Sequence, residues 1–572
     1  MKKVGRQLIL VASALMLCLI TLTVYMQGTL DGNLDYHMLP AKMFGIPNEL
    51  AKRGIEPLYF GEKETGWDGQ FYYYMSNDLL GIKDTPEHID VPSYRYQRIG
   101  LSLYTAVIAK ITGNDWVSPV LYYTSYLFLV ILAVWAIGRI TLINNGWLAS
   151  GFIWVAGVGT QVTLLNGLPD AAADSFLVLG TLALLLSRQW LGAILIVMSV
   201  LSRESYVIFP IVFLAICILG SINGKPVIEW RGAILRRIKN ADFISICIPV
   251  LAFCLWQIYV RRHFGIAPSE QAHGILGLPF KEWWIALSSG LTGHHYLVPS
   301  GVLSYFEAIS LVCFMILIFM TVFFAIKILL DYKNKSTWVS SLAFGAILMC
   351  LLYICFGRTV MMHYTGYMKA ASLFLFLIPF FVSELNISIQ SRVSIYVVLI
   401  AIVTVNFSYL WKDRIAVEAG AGYSKYTRGN EITQVGETSC LAHYDATVQF
   451  IGIENIKTSP ILSLLKNDRT EIFWTKLTNN SGEPFLSFYG KGAVNMSYQW
   501  LTLDGNTIVR DGIRSMIPEG VKNGETVKVP VVIKFPEIAG NYILRLTAVQ
   551  EGCSWFYRAN PSSAKDIYFT LR

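Results

Sequence analysis

Gln97-Arg98-Ile99-Gly100-Leu101-Ser102-Leu103-Tyr104-Thr105-Ala106-Val107-Ile108-Ala109-Lys110-Ile111-Thr112-Gly113 is the stretch on which the fold turns. It is apolar enough to be taken for a membrane crossing, and whether it crosses decides the side of every later segment. Downstream, the loop 221–240 carries Lys225, Arg231, Arg236, Arg237 and Lys239. Clustered lysine and arginine mark the cytoplasmic side of a membrane protein. A crossing at 97–113 would throw that loop outside. We therefore read 97–113 as a helix lying on the outer surface.

The rest of the chain supports a membrane reading. It is 54% hydrophobic and only 15% charged, where soluble domains carry roughly a quarter charged residues. Apolar runs recur at 8–26, 118–138, 146–165, 170–187, 190–202, 206–220, 242–260, 304–330, 338–357, 363–383 and 393–411. Most are long enough to cross a hydrocarbon core roughly 30 Å thick. The expectation is a polytopic α-helical membrane protein of about eleven transmembrane helices over 1–411, with 27–117 as a long external loop. The first run follows Lys2, Lys3 and Arg6 and lacks a small-residue cleavage site, so it reads as an uncleaved anchor with a cytoplasmic N-terminus. Lys333, Lys335 and Arg392 fall on the cytoplasmic side by alternation, while Arg261 and Arg262 fall outside against the charge rule, which either counts against this topology or marks an anion site. The formal charge of +8 belongs to cytoplasmic loops. No basic stripe interleaved with stacking aromatics accompanies it, so nucleic acid is not an expected partner. The lack of eukaryotic sorting signals and the Lys2-Lys3 start point to a bacterial inner membrane.

The composition changes from Lys412. Turn signals separate short alternating runs at 471–477, 494–503, 526–535 and 541–549. Strands at this spacing predict an extracytoplasmic all-β sandwich over 446–572, with 412–445 as a linker. Cys440 and Cys553 both lie in this tail and could either pair, in an oxidising compartment, or stand as unrelated thiols. The other cysteines fall in apolar runs, where they behave as small hydrophobes.

Chemistry is sought in the external loop, because long polar loops held on a rigid body carry function. Its centre is Gly66-Trp67-Asp68-Gly69-Gln70-Phe71-Tyr72-Tyr73-Tyr74. The glycines let the backbone turn tightly and a ligand approach closely, and the aromatic run suits the headgroup layer. Asp68 is therefore the candidate base, with a turn aspartate as the plain alternative. Asp31 and Asp35 are rivals just after the first span. Asp170 and Asp174 open a span after Asn166-Gly167-Leu168-Pro169; the first is expected to cap a helix and the second, a turn deeper, to meet a cation or substrate.

Candidate phosphate ligands are Arg95, Arg98, Arg203, Arg261, Arg262, Arg358 and Lys369, since the guanidinium fork suits phosphate. Salt bridges, such as Arg203 with Glu204 or Asp174, are the competing account. The Arg203-Glu204 pair interrupts an apolar stretch and must face water or protein. His294 and His295 sit beside Trp283 and Trp284 in the outer loop 262–303 and suit a substrate contact better than a metal, because adjacent histidines share one ion poorly and no HExxH accompanies them. No Walker A loop, GxSxG or dinucleotide fingerprint occurs, which weighs against ATP-driven transport and serine hydrolysis.

The pattern resembles the GT-C class of membrane glycosyltransferases. Asp68-Gly-Gln-Phe-Tyr-Tyr looks like the loop that carries their base, and Arg95-Tyr-Gln-Arg98-Ile-Gly-Leu-Ser-Leu-Tyr looks like their second surface helix. Gly138-Arg139 resembles the cytoplasmic end of the following span, and the segment 166–174 and Leu201-Ser-Arg203-Glu204 resemble later outer turns of the class. The resemblance covers roughly 1–411 and implies transfer of a sugar from a polyprenyl-phosphate donor to an extracytoplasmic glycan, lipid or protein. Asp68 would be the general base, with Arg98, Arg203 and Arg358 at the donor phosphate. Asp35, Tyr72, Arg95, Asp174, Glu204, His294 and His295 would line the substrates. The chain departs from relatives with Asp-Glu or Asp-X-Asp at the base, since Gly69 follows Asp68; no metal or other cofactor is firmly implied. Some arabinosyltransferases of the class carry external carbohydrate-binding β-sandwiches, which makes Trp500, Trp555 and Tyr557 sugar-platform candidates. The rival readings are a lipid-linked sugar flippase or transporter, a surface-polysaccharide polymerase or ligase, and a membrane scaffold.

Overall fold

In the computed structural model the described residues are 2–29, 34–41, 43–57, 66–144, 146–223, 225–271, 274–292, 302–385, 387–415, 438–455, 470–486, 490–517, 521–536 and 538–571. The chain divides into two compact units, one holding Met1–Thr21, Ile46–Ile55 and Trp67–Lys412, the other Leu22–Gly45, Glu56–Gly66 and Asp413–Arg572.

The first unit is helical. Its early helices are α1 (Lys2–Thr29, which runs on into the second unit), α2 (Asn48–Ala51), α3 (Gly69–Ser76), α4 (Pro92–Tyr96), α5 (Gly100–Ile111), α6 (Pro119–Ile143), α7 (Ser150–Ala156), α8 (Val158–Leu165), α9 (Asp170–Leu185) and α10 (Gln189–Ser202). There follow α11 (Ile208–Ile222), α12 (Val227–Arg237), α13 (Ala241–Phe264), α14 (Lys281–Leu291), α15 (Val302–Leu330), α16 (Thr337–Ile354), α17 (Arg358–Met361), α18 (Tyr364–Ala370), α19 (Phe374–Glu384) and α20 (Ile389–Leu410). Among the described residues eight helices are long and apolar enough to cross a membrane, or nine if one bent pair is counted. The chain thus carries the helices that a multi-pass membrane protein requires.

Around 146–202 the helices are not a plain series of crossings. The run 146–165 is not one helix but two, α7 and α8, because Gly157 leaves helical backbone at φ −59°, ψ 135°. The pair α8 and α9 then bends by 117° across Asn166–Pro169. Helix α10 has only 14 residues, about 21 Å of rise, short of a full crossing.

The stretch 97–113 contains α5, whose 12 residues rise about 18 Å. Leu101, Ser102, Thr105 and Ala109 face protein, while Val107 and Ile111 are exposed. That pattern suits a helix lying in an interface. Segments assigned to one side also meet. Asn144 after α6 donates to Glu384 at the end of α19, and Lys335 before α16 lies 3.8 Å from the same carboxylate. At the other end the start of α9, the end of α10, the end of α16 and α18 come together, as the contacts of Arg203 below establish.

In the second unit, β1 (Ala446–Asn455), β2 (Thr470–Asn479) and β6 (Thr526–Lys534) form an antiparallel sheet in the order β1-β2-β6. A six-stranded sheet runs β4 (Thr507–Val509), β3 (Val494–Thr502), β7 (Gly540–Gln550), β8 (Ser554–Trp555), with β5 (Ser515–Met516) on β3 and β9 (Ala564–Leu571) on β7. Val448, Phe473, Leu477 and Val531 of the first sheet share a core with Met496, Trp500, Leu544 and Leu546 of the second. Alternate residues of each strand point one way, which is why the apolar positions of the alternating runs collect there. Cys440 and Cys553 are bonded, with Cα atoms 5.7 Å apart.

Candidate functional site

Three backbones meet around the aromatic loop. A Cβ on Gly69 would lie 1.7 Å from the Asn166 carbonyl oxygen, so glycine lets the first turn of α3 rest on the bend between α8 and α9. A Cβ on Gly100 would lie 2.2 Å from Ser202 Oγ, so α5 sits against the end of α10. The close approach at Gly69 therefore serves packing, where sequence reading offered it to a ligand. Phe71, Tyr72, Tyr73 and Tyr74 are likewise all buried, at no more than 1% exposure. They pack inside the protein and not in a headgroup layer: Tyr73 meets Tyr122 edge to face at 5.6 Å, and Ser102 Oγ donates to the Tyr72 carbonyl at 2.7 Å. Burial pushes the Tyr72 phenol up to about 12.

Asp68 precedes α3 and is the exception to this burial. Its side chain is 45% exposed. Arg95 Nη1 donates to Asp68 Oδ2 at 2.8 Å, while Arg95 Nε and Nη2 grip Asp90 at 2.9 and 2.7 Å. No hydrogen bond engages Asp68 Oδ1 among the described residues. Burial would raise the Asp68 carboxyl, but the charges of Arg95, Lys369 and Arg98 and the Arg95 hydrogen bond outweigh it and hold the group below 3.8. With that much exposure, water screens the pairing, so the direction is firmer than its energy. The group is a carboxylate at neutral pH with one oxygen open.

The arginines are tied to acids. Arg98 Nε and Nη2 form a fork on Glu204 at 2.7 and 2.6 Å, with Tyr94 Oη accepting at 3.0 Å. Arg203 leaves helical backbone after α10 at φ −150°, ψ 113°. Its Nη1 then lies 3.6 Å from Asp170 and 3.3 Å from the Ala370 carbonyl, and Nη2 lies 3.3 Å from Tyr353 Oη. Asp170 thus meets a cation in place of the capping expected of it, for α9 starts after Pro169 with no side-chain cap. Asp174 has no exposure and accepts from Ser372 Oγ at 2.5 Å, Trp154 Nε1 at 3.4 Å and Tyr206 Oη.

Of the remaining candidates, Arg358 is exposed at the start of α17. Asp35 is half-buried in the turn Leu34–Tyr36, within the second unit. Asp31, His294 and His295 lie outside the described residues. Trp500 is no sugar platform: it is fully buried and its Nε1 donates to the Lys534 carbonyl at 2.8 Å. One face of Trp555 is covered by Arg514 and one face of Tyr557 by Arg545, at 4.9 and 5.2 Å.

Sequence reading missed Asp90, which takes two of the three Arg95 nitrogens; the acid five residues before Arg95 was a readable signal. It also missed Glu307. This carboxylate is 3% exposed on α15 and lies 3.2 Å from His363 Nε2, accepting from the Tyr364 amide and Tyr409 Oη at 3.0 Å each. Nothing in the apolar run around it marks a partner so distant in sequence. Among the described residues no group of three or more His, Cys, Asp or Glu gathers as a metal site would require. Comparison of the chain with family models, with curated proteins and with solved structures found no match in any of the three.

Proposed function

We propose that the chain is an integral-membrane glycosyltransferase that moves a sugar from a polyprenyl-phosphate donor to an extracytoplasmic glycan, lipid or protein. The supporting observation is Asp68: an ionised, half-exposed carboxylate with one open oxygen, beside cations at one end of an apolar helical unit. A general base must be ionised and within reach of the proton it takes. In the reaction the acceptor oxygen bonds to the anomeric carbon and its proton passes to Asp68. The carbon–oxygen bond to phosphate breaks, and the electron pair leaves with the polyprenyl phosphate. Arg95 orients Asp68, and Arg98 and Arg203, each paired with an acid, stand near the donor phosphate.

The finer architecture belongs to the same proposal. It has about eleven spans, the N-terminus in the cytoplasm of a bacterial inner membrane, and the tail outside as a β-sandwich. The shared core of the two sheets and the Cys440–Cys553 bond are in keeping with it. The rival reading as a lipid-linked sugar transporter would draw on the buried Glu307–His363 pair, which lies in the first turn of one candidate span and just before another.

The deciding experiment is sugar transfer in proteoliposomes with mixed polyprenyl-phosphate sugars and membrane glycan extract, comparing the native chain with Asp68→Asn. Loss of transfer with folding intact is expected. Undiminished transfer by Asp68→Asn would remove Asp68 as the base, and flipping without transfer by the native chain would establish the transporter.

A further inference from the structure

Each arginine of the site already holds a carboxylate. Arg95 is shared by Asp68 and Asp90, Arg98 is forked on Glu204, and Arg203 faces Asp170. The charge of Arg98 and of Arg203 is thus already offset, each could offer a phosphate only the N–H groups its acid leaves over, and taking the arginine away from a buried or half-buried acid is strongly unfavourable. Lys369 differs. It is half-buried at the end of α18 and has neither a side-chain hydrogen bond nor a carboxylate within 4.0 Å among the described residues.

Its placement is well determined by its neighbours. A Cβ on Gly159 would lie 2.9 Å from Lys369 Cα, so α18 is pressed onto α8. The Lys369 carbonyl accepts from Ser372 Oγ at 2.9 Å, and that hydroxyl also reaches Asp174. The next residue, Ala370, receives Arg203. Lys369 is also the second of the charges that hold Asp68 down, after Arg95. An uncommitted ammonium in this position is unusual, because the surrounding acids are already held: Asp68, Asp90, Glu204 and Asp170 by arginines, and Asp174 by Ser372, Trp154 and Tyr206.

Resting on the function proposed above, we infer that Lys369 is the direct ligand of the donor's phosphate, with the arginines serving as the fixed frame around it. The ligand class is a phosphate ester, here a polyprenyl phosphate. As the carbon–oxygen bond breaks, negative charge grows on the phosphate oxygens. Lysine brings three rotatable donors on a flexible stem, able to follow that charge without surrendering an existing partner.

The test is binding of a polyprenyl phosphate to the purified full-length chain in detergent, with no sugar or acceptor present. Lys369→Gln should weaken binding by roughly 10- to 100-fold, the range for a charged hydrogen bond, and Lys369→Arg should recover most of it. Lys110→Gln, which removes one exposed charge at the end of α5, should leave binding unchanged. Matched thermal unfolding of the variants guards against misfolding, and the Arg rescue separates a ligand from a merely structural lysine. Equal binding by native and Lys369→Gln chains would overturn the assignment and leave the transferase reading standing. A native chain that binds no polyprenyl phosphate would overturn the donor reading itself. Displacement of the lipid by inorganic phosphate at similar concentration would assign the site to free phosphate and overturn its lipid part.

Discussion

Asp68 and Asp174 lie at the same end of the helical unit and are treated oppositely by the fold. Asp174 has no exposure, and three side chains from other segments donate to it. Asp68 is 45% exposed, one arginine holds it, and one oxygen is open. A fully satisfied buried carboxylate specifies packing, whereas a held but unsatisfied one is available for chemistry. The contrast separates scaffold from site, and it can be broken by experiment.

The largest effect is expected from exchanging the two roles. Asp68→Asn should lower sugar transfer by roughly 10²- to 10⁴-fold, the usual worth of a general base, with little change in unfolding temperature. Asp174→Asn should instead lower the unfolding temperature, because an amide cannot accept from all three donors. Paired transfer and thermal-unfolding measurements on both variants decide it. A silent Asp68→Asn beside an inactive but stable Asp174→Asn would invert the comparison.

Next comes the ion pair that frames the site. Arg203 and Asp170 are both buried, with side chains 9% and 8% exposed. Arg203→Leu leaves Asp170 charged and unpaired, and should cost about 3–5 kcal/mol in reversible unfolding. The double change Arg203→Leu with Asp170→Leu should restore much of it, since an apolar pair of similar volume removes the unpaired charge. No restoration would mean that the pair acts through Ala370 and Tyr353.

In the β-rich unit, Cys440→Ser with Cys553→Ser should cost that unit about 2–5 kcal/mol, read by near-ultraviolet circular dichroism as it unfolds. The bond closes a sequence separation of 113, and closing a long loop constrains the unfolded chain most.

Much of this organisation was legible. The reasoning that kept 97–113 out of the membrane rested on one basic loop, and α5 has the length and one-sided burial it implies. Asp68, Arg95, Arg98, Arg203 and Glu204 were picked out from residue type and position, and the fold brings them together. Their pairings were not legible. Sequence offered Arg203 to Glu204 or Asp174, whereas Glu204 takes Arg98 and Arg203 turns to Asp170. A chain that leaves helical backbone at Arg203 sends neighbouring side chains to different partners, and no spacing rule anticipates that. The aromatic run misled for a related reason. Phe71–Tyr74 has interfacial composition, but α3 is wedged by Gly69 against Asn166, which turns its rings inward.

The smallest effect is the most specific. A carboxyl held below its ordinary value stays ionised until the pH falls through that lowered value, and the stability it contributes is lost as the pH falls from the ordinary value down through the lowered one. For the native chain, the acid limb of the transfer rate assigned to Asp68 should therefore lie below pH 3.8, the ordinary value for the group. Lys369 is one of the charges responsible, so Lys369→Gln should move that limb upward. Arg95→Gln should move it further, because it removes both the leading charge and the hydrogen bond. Rate–pH profiles of the three chains in the same proteoliposomes measure this. Unmoved limbs in both variants would mean that the titrating group is not Asp68, and the distinction between the open carboxylate and the buried one would lose its chemical half.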